Sequence, residues 1–430
     1  MQATFKSRFI ALMLILALSV ALVPFTANAA GAVSVTLNGS KLSFDTSPVI
    51  KDGTTLVPYR TIAEKLNAKV GWNKQTQKVT VTKGTKTVVL TVGSKTATVN
   101  GKSVKLDAVP TVKNGTTLVP LRFLGESLGI WVNWKAATST VALETKRTIS
   151  HAMGSTTLTS VPQRVVVLTN GLVDSSVYLG VKPVGAVESY AEQPWYTFLR
   201  SGMAGVKNLG DETQPNLEAI VKLKPDLIIG SKMRHEKIYS QLKAIAPTLM
   251  TEDVFSFKST IALEAKALNK ETKADAFLAS WNSKVAAFKK EIGSKAKSTD
   301  VSVIRFNPDG SSRAYLDGFA INILKELGFK LTQAQLKARV GESTVVTVTN
   351  QEQTKLLDAD YIFDFTTDWV GDGGVYKVQK DWTSSALWKN LEAVKNGKYY
   401  KVNVITWNYS AGPMAAKAML DDLYFYFDLE

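Results

Sequence analysis

Residues 232–239, KMRHEKIY, bring together side chains that can hold anions, metals or protons. They include Arg234 and His235, and His235 is one of only two histidines in the 430 residues. His-Glu-x-x begins the zinc-protease helix motif, but Tyr239 stands where that motif needs its second histidine. The stretch therefore excludes this class of metalloprotease. Two interpretations stay open for His235: contact with a ligand, or a cap at the start of a helix.

Other catalytic signatures are missing from the sequence. The chain has no cysteine, which excludes disulfides, thiolate metal sites and cysteine nucleophiles. It has no G-x-S-x-G motif, and GDGGVY at 371–376 lacks the last glycine of a dinucleotide fingerprint. We therefore predict that the protein is not an enzyme and has no catalytic residue, no direct metal site and no intrinsic cofactor.

Three arginines are candidate ligand-binding residues, because a guanidinium donates paired hydrogen bonds to anionic oxygens and keeps its charge. Arg234 follows the apolar run DLIIG, and Arg305 lies inside the strand-like run VSVIRF. A charge inside such a run is costly unless it is paired or faces a cavity. Arg313 follows the turn PDGSS. An internal salt bridge is the alternative role for each of the three.

Aromatic residues in loops after strands are candidates for the walls of a binding site, since aromatic rings suit an amphipathic ligand. Packing in the core is the alternative for each one, and Trp388 on a predicted helix is expected to be core. The predicted contacts are Trp407, Trp369, Tyr190, Trp195 and Tyr376.

These candidates need a scaffold, and the sequence from Pro162 onward predicts an α/β one. Apolar runs alternate with helical segments, as in parallel sheets that are covered on both faces. Residues 259–296 contain no proline and predict one long or lightly broken helix. The sequence predicts lobes at about 162–257 and 299–430, joined by that helix. Ligands of open α/β sheets bind beyond the carboxyl ends of the strands.

The two predicted lobes carry an internal echo. PNLEAIVKLKPDLIIG begins at Pro215 and TNQEQTKLLDADYIFDF at Thr349, so Glu218 and Glu352 occupy equivalent positions. A charge at the start of a helix is favourable in itself, which is the alternative to a functional role for these acids.

The first third contains a clearer repeat. VIKDGTTLVPYR from Val49 matches TVKNGTTLVPLR from Thr111 at an offset of 62, which also relates Trp72 to Trp134. Each copy predicts a turn, a strand, a helix and a second strand, with β-hairpins between the copies. For Arg60 and Arg122, structural pairing at the helix start and ligand binding are both open.

Charge is concentrated in this repeat region. Residues 31–147 contain 17 Lys and Arg against 6 Asp and Glu, so their net charge is 17 − 6 = +11. Solubility and an anionic partner, such as cell-wall polymer or lipid headgroups, are equally open explanations. Nucleic acid is not expected as a partner, because the first 29 residues predict export.

The first 29 residues predict that export. Lys6 and Arg8 precede a short apolar run that ends in Ala27-Asn28-Ala29, the pattern of a secretory signal peptide cleaved after about Ala29. An N-terminal membrane anchor is the alternative. We expect a secreted protein of a Gram-positive bacterium, at the extracellular face of the cell and associated with its wall or membrane.

Residues from about 146 to the C-terminus resemble the iron-siderophore substrate-binding proteins of ABC importers. The similar segments are HAMGSTTLTSVPQRVVVLT, YLGVKPVGAV, NLEAIVKLKPDLIIGS, YSQLKAIAPTL and WNYSAGPMAAKAMLDDL. The resemblance implies a monomer that captures a ferric siderophore, with the iron held by the chelator, and delivers it to an ABC permease. It also implies ligand contacts at Arg234 and Arg305 and permease docking through Glu218 and Glu352.

The family pattern is not matched everywhere, and two other functions remain open. Gram-positive members are usually lipoproteins, and this chain has no cysteine to carry a lipid. A receptor of the same fold for haem or cobalamin is one alternative, with His235 or a cleft tyrosine as a haem ligand. A wall-associated structural protein acting through its basic N-terminal region is the other.

Residues 34–145 resemble the copper amine oxidase N-terminal-like domain, a stalk module of secreted bacterial proteins. The doubled GTTLVP-x-R…W pattern carries the resemblance. The segment has no histidine and no cysteine, so no copper chemistry is expected from it. The sequence thus predicts a smaller α+β repeat domain followed by two Rossmann-like lobes joined by a single long helix.

Overall fold

A computed structural model describes residues 33–369 and 371–430, and the predicted signal peptide at 1–29 lies outside these ranges. The described chain forms two compact units. The first unit runs to Leu128 and includes Trp134–Leu143, and the second contains Gly129–Asn133 and Glu144–Glu430. Within the described ranges, none of the helices combines the length and hydropathy that a membrane span requires.

The elements up to residue 144 are mostly short strands, with one helix in each repeat. They are β1 (Ser34–Leu37), β2 (Ser40–Lys41), β3 (Val49–Lys51), β4 (Thr54–Pro58), α1 (Tyr59–Lys65), β5 (Lys69–Asn73), β6 (Lys78–Lys83), β7 (Lys86–Thr91), β8 (Thr96–Val99), β9 (Lys102–Lys105), β10 (Thr111–Lys113), β11 (Thr116–Pro120), α2 (Leu121–Ser127), β12 (Trp131–Lys135) and β13 (Thr140–Glu144). Strands β5 to β9 form an antiparallel meander.

The two repeats meet in a four-stranded sheet of order β10-β11-β4-β3. Each outer hairpin turns at a pair of residues with positive φ, 52° and 73° in Asp52-Gly53 and 52° and 74° in Asn114-Gly115, as a type I′ turn requires. Strands β4 and β11 pair antiparallel with Val57 opposite Val119. These two valines are repeat equivalents, so a local twofold axis passes between them.

The second unit contains the remaining elements. They are β14 (Arg147–His151), β15 (Gly154–Leu158), β16 (Val165–Val167), α3 (Asn170–Leu179), β17 (Gly185–Ala186), β18 (Lys207–Asn208), α4 (Leu217–Leu223), β19 (Leu227–Ser231), α5 (Lys232–His235), α6 (Tyr239–Ile245), β20 (Thr248–Thr251), α7 (Phe257–Leu268), α8 (Glu271–Ile292), α9 (Lys295–Ser298), β21 (Asp300–Phe306), β22 (Ser312–Tyr315), α10 (Phe319–Leu327), β23 (Lys330–Leu331), α11 (Gln333–Lys337), β24 (Val345–Val348), β25 (Tyr361–Asp364), α12 (Gly374–Ser384), α13 (Ala386–Lys389), α14 (Glu392–Lys395), β26 (Tyr399–Lys401) and α15 (Pro413–Tyr426).

The predicted α/β fold class is confirmed. The N-lobe sheet has the order β18-β17-β16-β19-β20, and all its pairings are parallel. The C-lobe sheet has the order β24-β22-β21-β25-β26, with β22 antiparallel to its neighbours and β23 paired to β21. Strands β16, β19 and β25 are buried along their whole length, which explains why they appear as unbroken apolar runs.

The connection between the lobes is the lightly broken form of the helix predicted over 259–296. It consists of α7, α8 and α9, and α7 ends at Asn269, which adopts the left-handed conformation with φ 57°. Asparagine tolerates this conformation at a helix end better than most residues. The 22-residue α8 packs against α10 of the C-lobe, while α7 packs against α3 of the N-lobe.

A fully buried carboxylate joins the lobes directly. Asp174 on α3 accepts hydrogen bonds from Ser410 Oγ at 2.9 Å and from the backbone N–H groups of Met414 at 2.8 Å and Ala415 at 3.0 Å. Those N–H groups lie in the first turn of α15, where they lack helical acceptors. A side chain at Gly412 would place its Cβ 2.3 Å from Asp174 Cβ, so only glycine fits there. We call these four hydrogen-bonded residues the interlobe clasp.

A second buried acid supports α3 from the connecting segment. Glu264 on α7 is fully buried; its Oε1 accepts a hydrogen bond from Ser176 Oγ, and its Oε2 has no partner among the described residues. Desolvation raises the pKa of Glu264 to about 7, against the opposing effect of the Ser176 hydroxyl.

Replacing Glu264 with Gln should change how stability depends on pH. The pKa of Glu264 in the folded state lies above 4.5, the ordinary value for a glutamate. The ionised wild-type carboxyl therefore destabilises the fold increasingly as pH rises from 4.5 to about 7. Glu264→Gln should therefore gain about 3 kcal/mol relative to wild type between pH 4.5 and pH 8. Urea unfolding at both pH values measures the difference. The exposed replacement Glu236→Gln is the control, and equal pH dependence in E264Q and wild type would contradict the assignment.

Candidate ligand-binding site

A cavity of about 490 Å³ lies between the two lobes of the second unit, and we call it the interlobe cavity. Most of its wall comes from segments that follow the carboxyl ends of strands, with α3 and Ala411, two residues before α15, contributing the rest. Its lining residues are Asn170, Gly171, Glu188, Ser189, Tyr190, Gln193, Asp211, Glu212, Arg234, Val254 and Phe255 from the N-lobe, and Arg305, Trp369, Asn408, Tyr409 and Ala411 from the C-lobe.

Four residues predicted from the sequence as ligand contacts line this cavity: Tyr190, Arg234, Arg305 and Trp369. They come from four strand ends, at β17, β19, β21 and β25, and the fold brings them to one place. The rule that ligands bind beyond the carboxyl ends of parallel strands therefore locates the cavity correctly.

Arg234 is held by a carboxylate that the sequence analysis missed. Its Nε donates to Glu212 Oε1 at 3.0 Å, and the Glu212 side chain is only 3% exposed. Glu212 Oε2 in turn accepts from Asn170 N at 2.9 Å and Asn170 Nδ2 at 3.0 Å. Arg234 thus forms an internal salt bridge and also lines the cavity. Glu212 could have been found, because it follows β18 at its carboxyl end.

His235 has a structural role in this cluster, so its predicted place among the ligand contacts is corrected. It is fully buried, its Nδ1 accepts from Ser231 N at 3.1 Å, and its Nε2 donates to the Glu212 carbonyl at 2.7 Å. Burial lowers its pKa, so the ring is neutral with its proton on Nε2. A Cβ at Gly230 would come within 2.9 Å of Nδ1, which keeps that position small.

Arg305 and Arg313 are two adjacent cations of the C-lobe, and of these only Arg305 lines the cavity. They lie directly opposite each other on β21 and β22, and neither makes an ion pair with a carboxylate in the described ranges. Their Nε atoms are buried, again with no hydrogen-bond partner among described residues. The Arg305 guanidinium lies 4.5 Å from the Trp369 ring centroid. Arg313 lies beside Arg305 on the neighbouring strand β22, outside the lining of the cavity.

Two tyrosines meet across the cavity. The rings of Tyr190 from the N-lobe and Tyr409 from the C-lobe are 5.4 Å apart. Burial raises the pKa of both phenols; Glu212 raises that of Tyr190 further, and Arg305 opposes the rise at Tyr409. Both phenols are therefore neutral at physiological pH and can donate hydrogen bonds.

Three other aromatic residues that the sequence predicted as ligand contacts lie outside the lining of the cavity. Trp407 is fully buried, with its Nε1 donating to Asp422 Oδ2 at 2.8 Å and its ring 4.8 Å from Phe363. Trp195 is 8% exposed and packs in the core. Tyr376 is exposed, its hydroxyl accepts from Asp368 N at 3.3 Å, and it is outside the lining of the cavity. Each lies in or near a loop that follows a strand, and loop position alone does not say which way a side chain points.

The interlobe cavity offers little for direct iron binding. Among the described residues, no three or more His, Asp or Glu side chains cluster as metal ligands would. Of its other acids, Glu188 accepts from Asn208 Nδ2 at 2.9 Å and Asp211 from Thr213 N at 2.6 Å. What the cavity presents is arginine, indole and phenol, a surface suited to an anionic and partly aromatic or amphipathic molecule.

Glu218 and Glu352 lie elsewhere, on the surface. Each is exposed in the first turn of a short helix, α4 for Glu218 and the 3-10 helix Gln351–Leu357 for Glu352. The asparagine two residues earlier caps each helix start: Asn216 accepts from Ala219 N and Asn350 from Glu352 N. The internal echo in the sequence is therefore also an echo in local structure.

Comparison with known proteins identifies two families. Residues 36–143 match the copper amine oxidase N-terminal domain, and residues 165–403 match the periplasmic binding protein family.

Individual relatives agree with the second match. The chain is 42% identical over 296 residues to the probable siderophore-binding lipoprotein YfiY of Bacillus subtilis, covering 68% of this chain and 91% of that protein. It is 36% identical to the achromobactin-binding periplasmic protein of Dickeya dadantii, over 61% of this chain and 85% of that one. The solved structure of Staphylococcus aureus SirA with staphyloferrin B matches with 42% identity and a TM-score of 0.62, covering 66% and 99% of the two chains.

Replacing His235 with Phe should cost about 3 kcal/mol of unfolding free energy, because the Ser231 N–H and the Glu212 carbonyl would stay buried without partners. The half-buried His151 offers a matched control, and His151→Phe should cost about 1 kcal/mol or less. Urea unfolding followed by circular dichroism measures both. Equal losses in the two variants would argue against the structural role of His235.

Proposed function

The chain belongs to the periplasmic binding protein family, and we propose that it captures an anionic ferric siderophore and delivers it to an ABC import permease. It is a substrate-binding protein and not an enzyme. We infer a negatively charged ligand from Arg305 and Arg313, which are adjacent cations with no carboxylate partner in the described chain. Like charges opposite each other in a sheet repel, so a bound anion would relieve a cost that the empty site bears.

The interlobe cavity suits a metal that arrives already chelated. The siderophore supplies the oxygen ligands to iron, so the protein needs only to recognise the outer surface of the complex. Arg234 and Arg305 donate to its anionic oxygens, while Trp369, Tyr190 and Tyr409 contact its flat faces. Glu212 holds Arg234 in place before the ligand arrives, which lowers the entropy cost of binding.

Haem is less well supported as a ligand. His235 is not available as an axial ligand, because both of its ring nitrogens are engaged inside the N-lobe. The cavity tyrosines Tyr190 and Tyr409 are the axial ligands that this alternative still has.

The protein acts at the cell surface or in the extracellular space, like the lipoprotein and periplasmic relatives. We further propose that the mature protein is a monomer and that its signal peptide is cleaved after about Ala29. In place of a lipid, the basic region 31–147, with its net charge of +11, holds the receptor against anionic cell-wall polymer.

Glu218 and Glu352 are the docking points for the permease. They sit on equivalent helix starts of the two lobes and are exposed, so two arginine-bearing surfaces of a permease could engage both at once. The favourable position of an acid at a helix start does not explain why the same position is used in both lobes.

Arg305→Ala should weaken binding of ferric staphyloferrin B or ferric achromobactin by about tenfold or more, since a charge-assisted contact is lost in a partly buried site. Titration calorimetry with these two complexes, and with a neutral ferric trihydroxamate for comparison, measures the effect. Arg339 is exposed and remote from the cavity, so Arg339→Ala should bind like wild type. A preference for the neutral complex, or no binding of any of the three, would overturn the proposal.

Glu218→Ala and Glu352→Ala should leave the affinity for the ferric complex unchanged and reduce cellular uptake of iron-55 several-fold, about additively on a logarithmic scale. Both acids lie outside the cavity, so only the encounter with the permease changes. Glu342→Ala provides an exposed control in the C-lobe. Normal uptake by the double variant would remove these residues from the docking surface.

A further inference from the structure

The first unit exposes large apolar side chains in a pattern. Its described exposed examples are Ile50, Trp72, Val104, Val112 and Trp134. Four of them form two pairs at the repeat offset of 62, Ile50 with Val112 and Trp72 with Trp134. Single exposed apolar residues are ordinary, and here two apolar positions are exposed in both repeats, as the local twofold relation between the repeats predicts.

One residue from each of the two pairs lines a common pocket. A cavity of about 350 Å³ is lined by Trp72 and Val112 together with the charged side chains Asp45 and Arg60 and the hydroxyls of Thr46 and Thr116. Trp72 is 39% exposed, so one part of its indole is open to solvent. The pocket thus combines a ring face, a cation, an anion and several hydroxyls within one small concave surface.

The local twofold axis explains how the pocket is assembled. Arg60 and Trp72 come from the first repeat, whereas Val112 and Thr116 come from the β10-β11 hairpin of the second. The sheet β10-β11-β4-β3 brings them together, and the Thr46 hydroxyl donates to the Thr116 hydroxyl at 2.9 Å across this junction.

The second repeat carries the equivalent residues, with differences that predict a weaker site. Asp107, Arg122 and Trp134 correspond to Asp45, Arg60 and Trp72, and Ile50 corresponds to Val112. However, Ala108 replaces Thr46 and Leu121 replaces Tyr59, so two hydroxyl groups are lost. Arg122 also pairs more closely with Glu126, at 3.3 Å, than Arg60 does with Glu64, at 3.8 Å.

Tyr59 orients the Arg60 side chain, and the positive charge of Arg60 is only weakly paired with Glu64. Its Nη2 donates to the Tyr59 hydroxyl at 3.3 Å, and its guanidinium lies 5.7 Å from the Tyr59 ring centroid. The ion pair with Glu64 is between two side chains that are each more than half exposed, and such pairs are weak. The cation therefore remains able to bind an anion that enters the pocket.

We infer that this pocket, with its weaker repeat equivalent, binds acidic sugar units of a repeating cell-wall polymer; the inference rests on the proposed attachment of residues 31–147 to the wall. A sugar ring offers an apolar C–H face for Trp72, hydroxyls for Asp45 and Thr116, and a carboxylate or phosphate for Arg60. A polymer with regular units can occupy both sites of one domain, and two linked weak contacts give strong retention. The net charge of +11 in this region raises the local concentration of such a polymer.

The test is co-sedimentation of the full exported chain with purified Bacillus subtilis cell walls in moderate salt. Trp72→Ala should reduce the bound fraction about fivefold, Arg60→Ala about threefold and Trp134→Ala less than either. Matched controls lie on β9 of the same unit: the exposed Val104 for the tryptophan and Lys102 for the arginine. V104A and K102A should each stay within about 1.5-fold of wild type.

Walls treated with hydrofluoric acid, which removes phosphodiester-linked polymers, form a second arm. Loss of binding to treated walls would assign the ligand to the phosphodiester-linked acidic polymers and support the site. Retained binding to treated walls would assign the ligand to the peptidoglycan and overturn acidic sugar units as its identity. Equal effects of K102A and R60A, with W72A binding like wild type, would overturn the pocket while leaving non-specific charge attachment intact. No binding of wild type to either wall would overturn both. Calorimetry with ferric staphyloferrin B checks in every variant that the receptor domain is unaffected.

Discussion

One buried carboxylate fixes the geometry on which the binding site depends. Asp174 belongs to the N-lobe, and its oxygens are saturated by donors from the start of the last C-lobe helix. Burial raises its pKa to about 6, and those hydrogen bonds act against the rise, so the group is mostly ionised at neutral pH. A buried ionised acid whose partners moved away would be strongly destabilising. The clasp therefore resists separation of the lobes next to Asn170, Gly171 and Ala411, and we call this side of the interlobe cavity its floor.

The two walls above this floor treat charge differently. On the N-lobe side, Glu212 neutralises Arg234 and fixes its direction, and His235 in turn fixes the backbone of Glu212. On the C-lobe side, Arg305 and Arg313 face each other with an indole over one of them. The ion pair on the N-lobe side orients Arg234 at little electrostatic cost. The two arginines on the C-lobe side repel each other, and a bound anion would reduce that repulsion. Together they favour an anionic ligand without a preformed metal site.

The sequence predicted the fold class and the region of the site better than individual contacts. Strand ends could be located from apolar runs, and Arg234, Arg305, Tyr190 and Trp369 follow or end such runs. Trp407 and Trp195 also follow strands, but their rings turn inward, which depends on tertiary packing that no local pattern records. The position of Glu212 after β18 was a usable signal, but β18 has only two residues, and nothing in GDETQP distinguishes a buried acid from a solvated one. The break at Asn269 needed a backbone conformation that helical periodicity does not reveal.

The twofold axis between Val57 and Val119 also has an implication for the history of the first unit. A lone 62-residue repeat would leave β4 unpaired on one side, with Leu56 and Val57, now fully buried, open to solvent. The simplest way to cover that edge is a second copy of the same chain, related by symmetry as in an isologous dimer. Covalent duplication then frees assembly from protein concentration. It also lets the two halves diverge, as Tyr59 and Leu121 have done at equivalent positions.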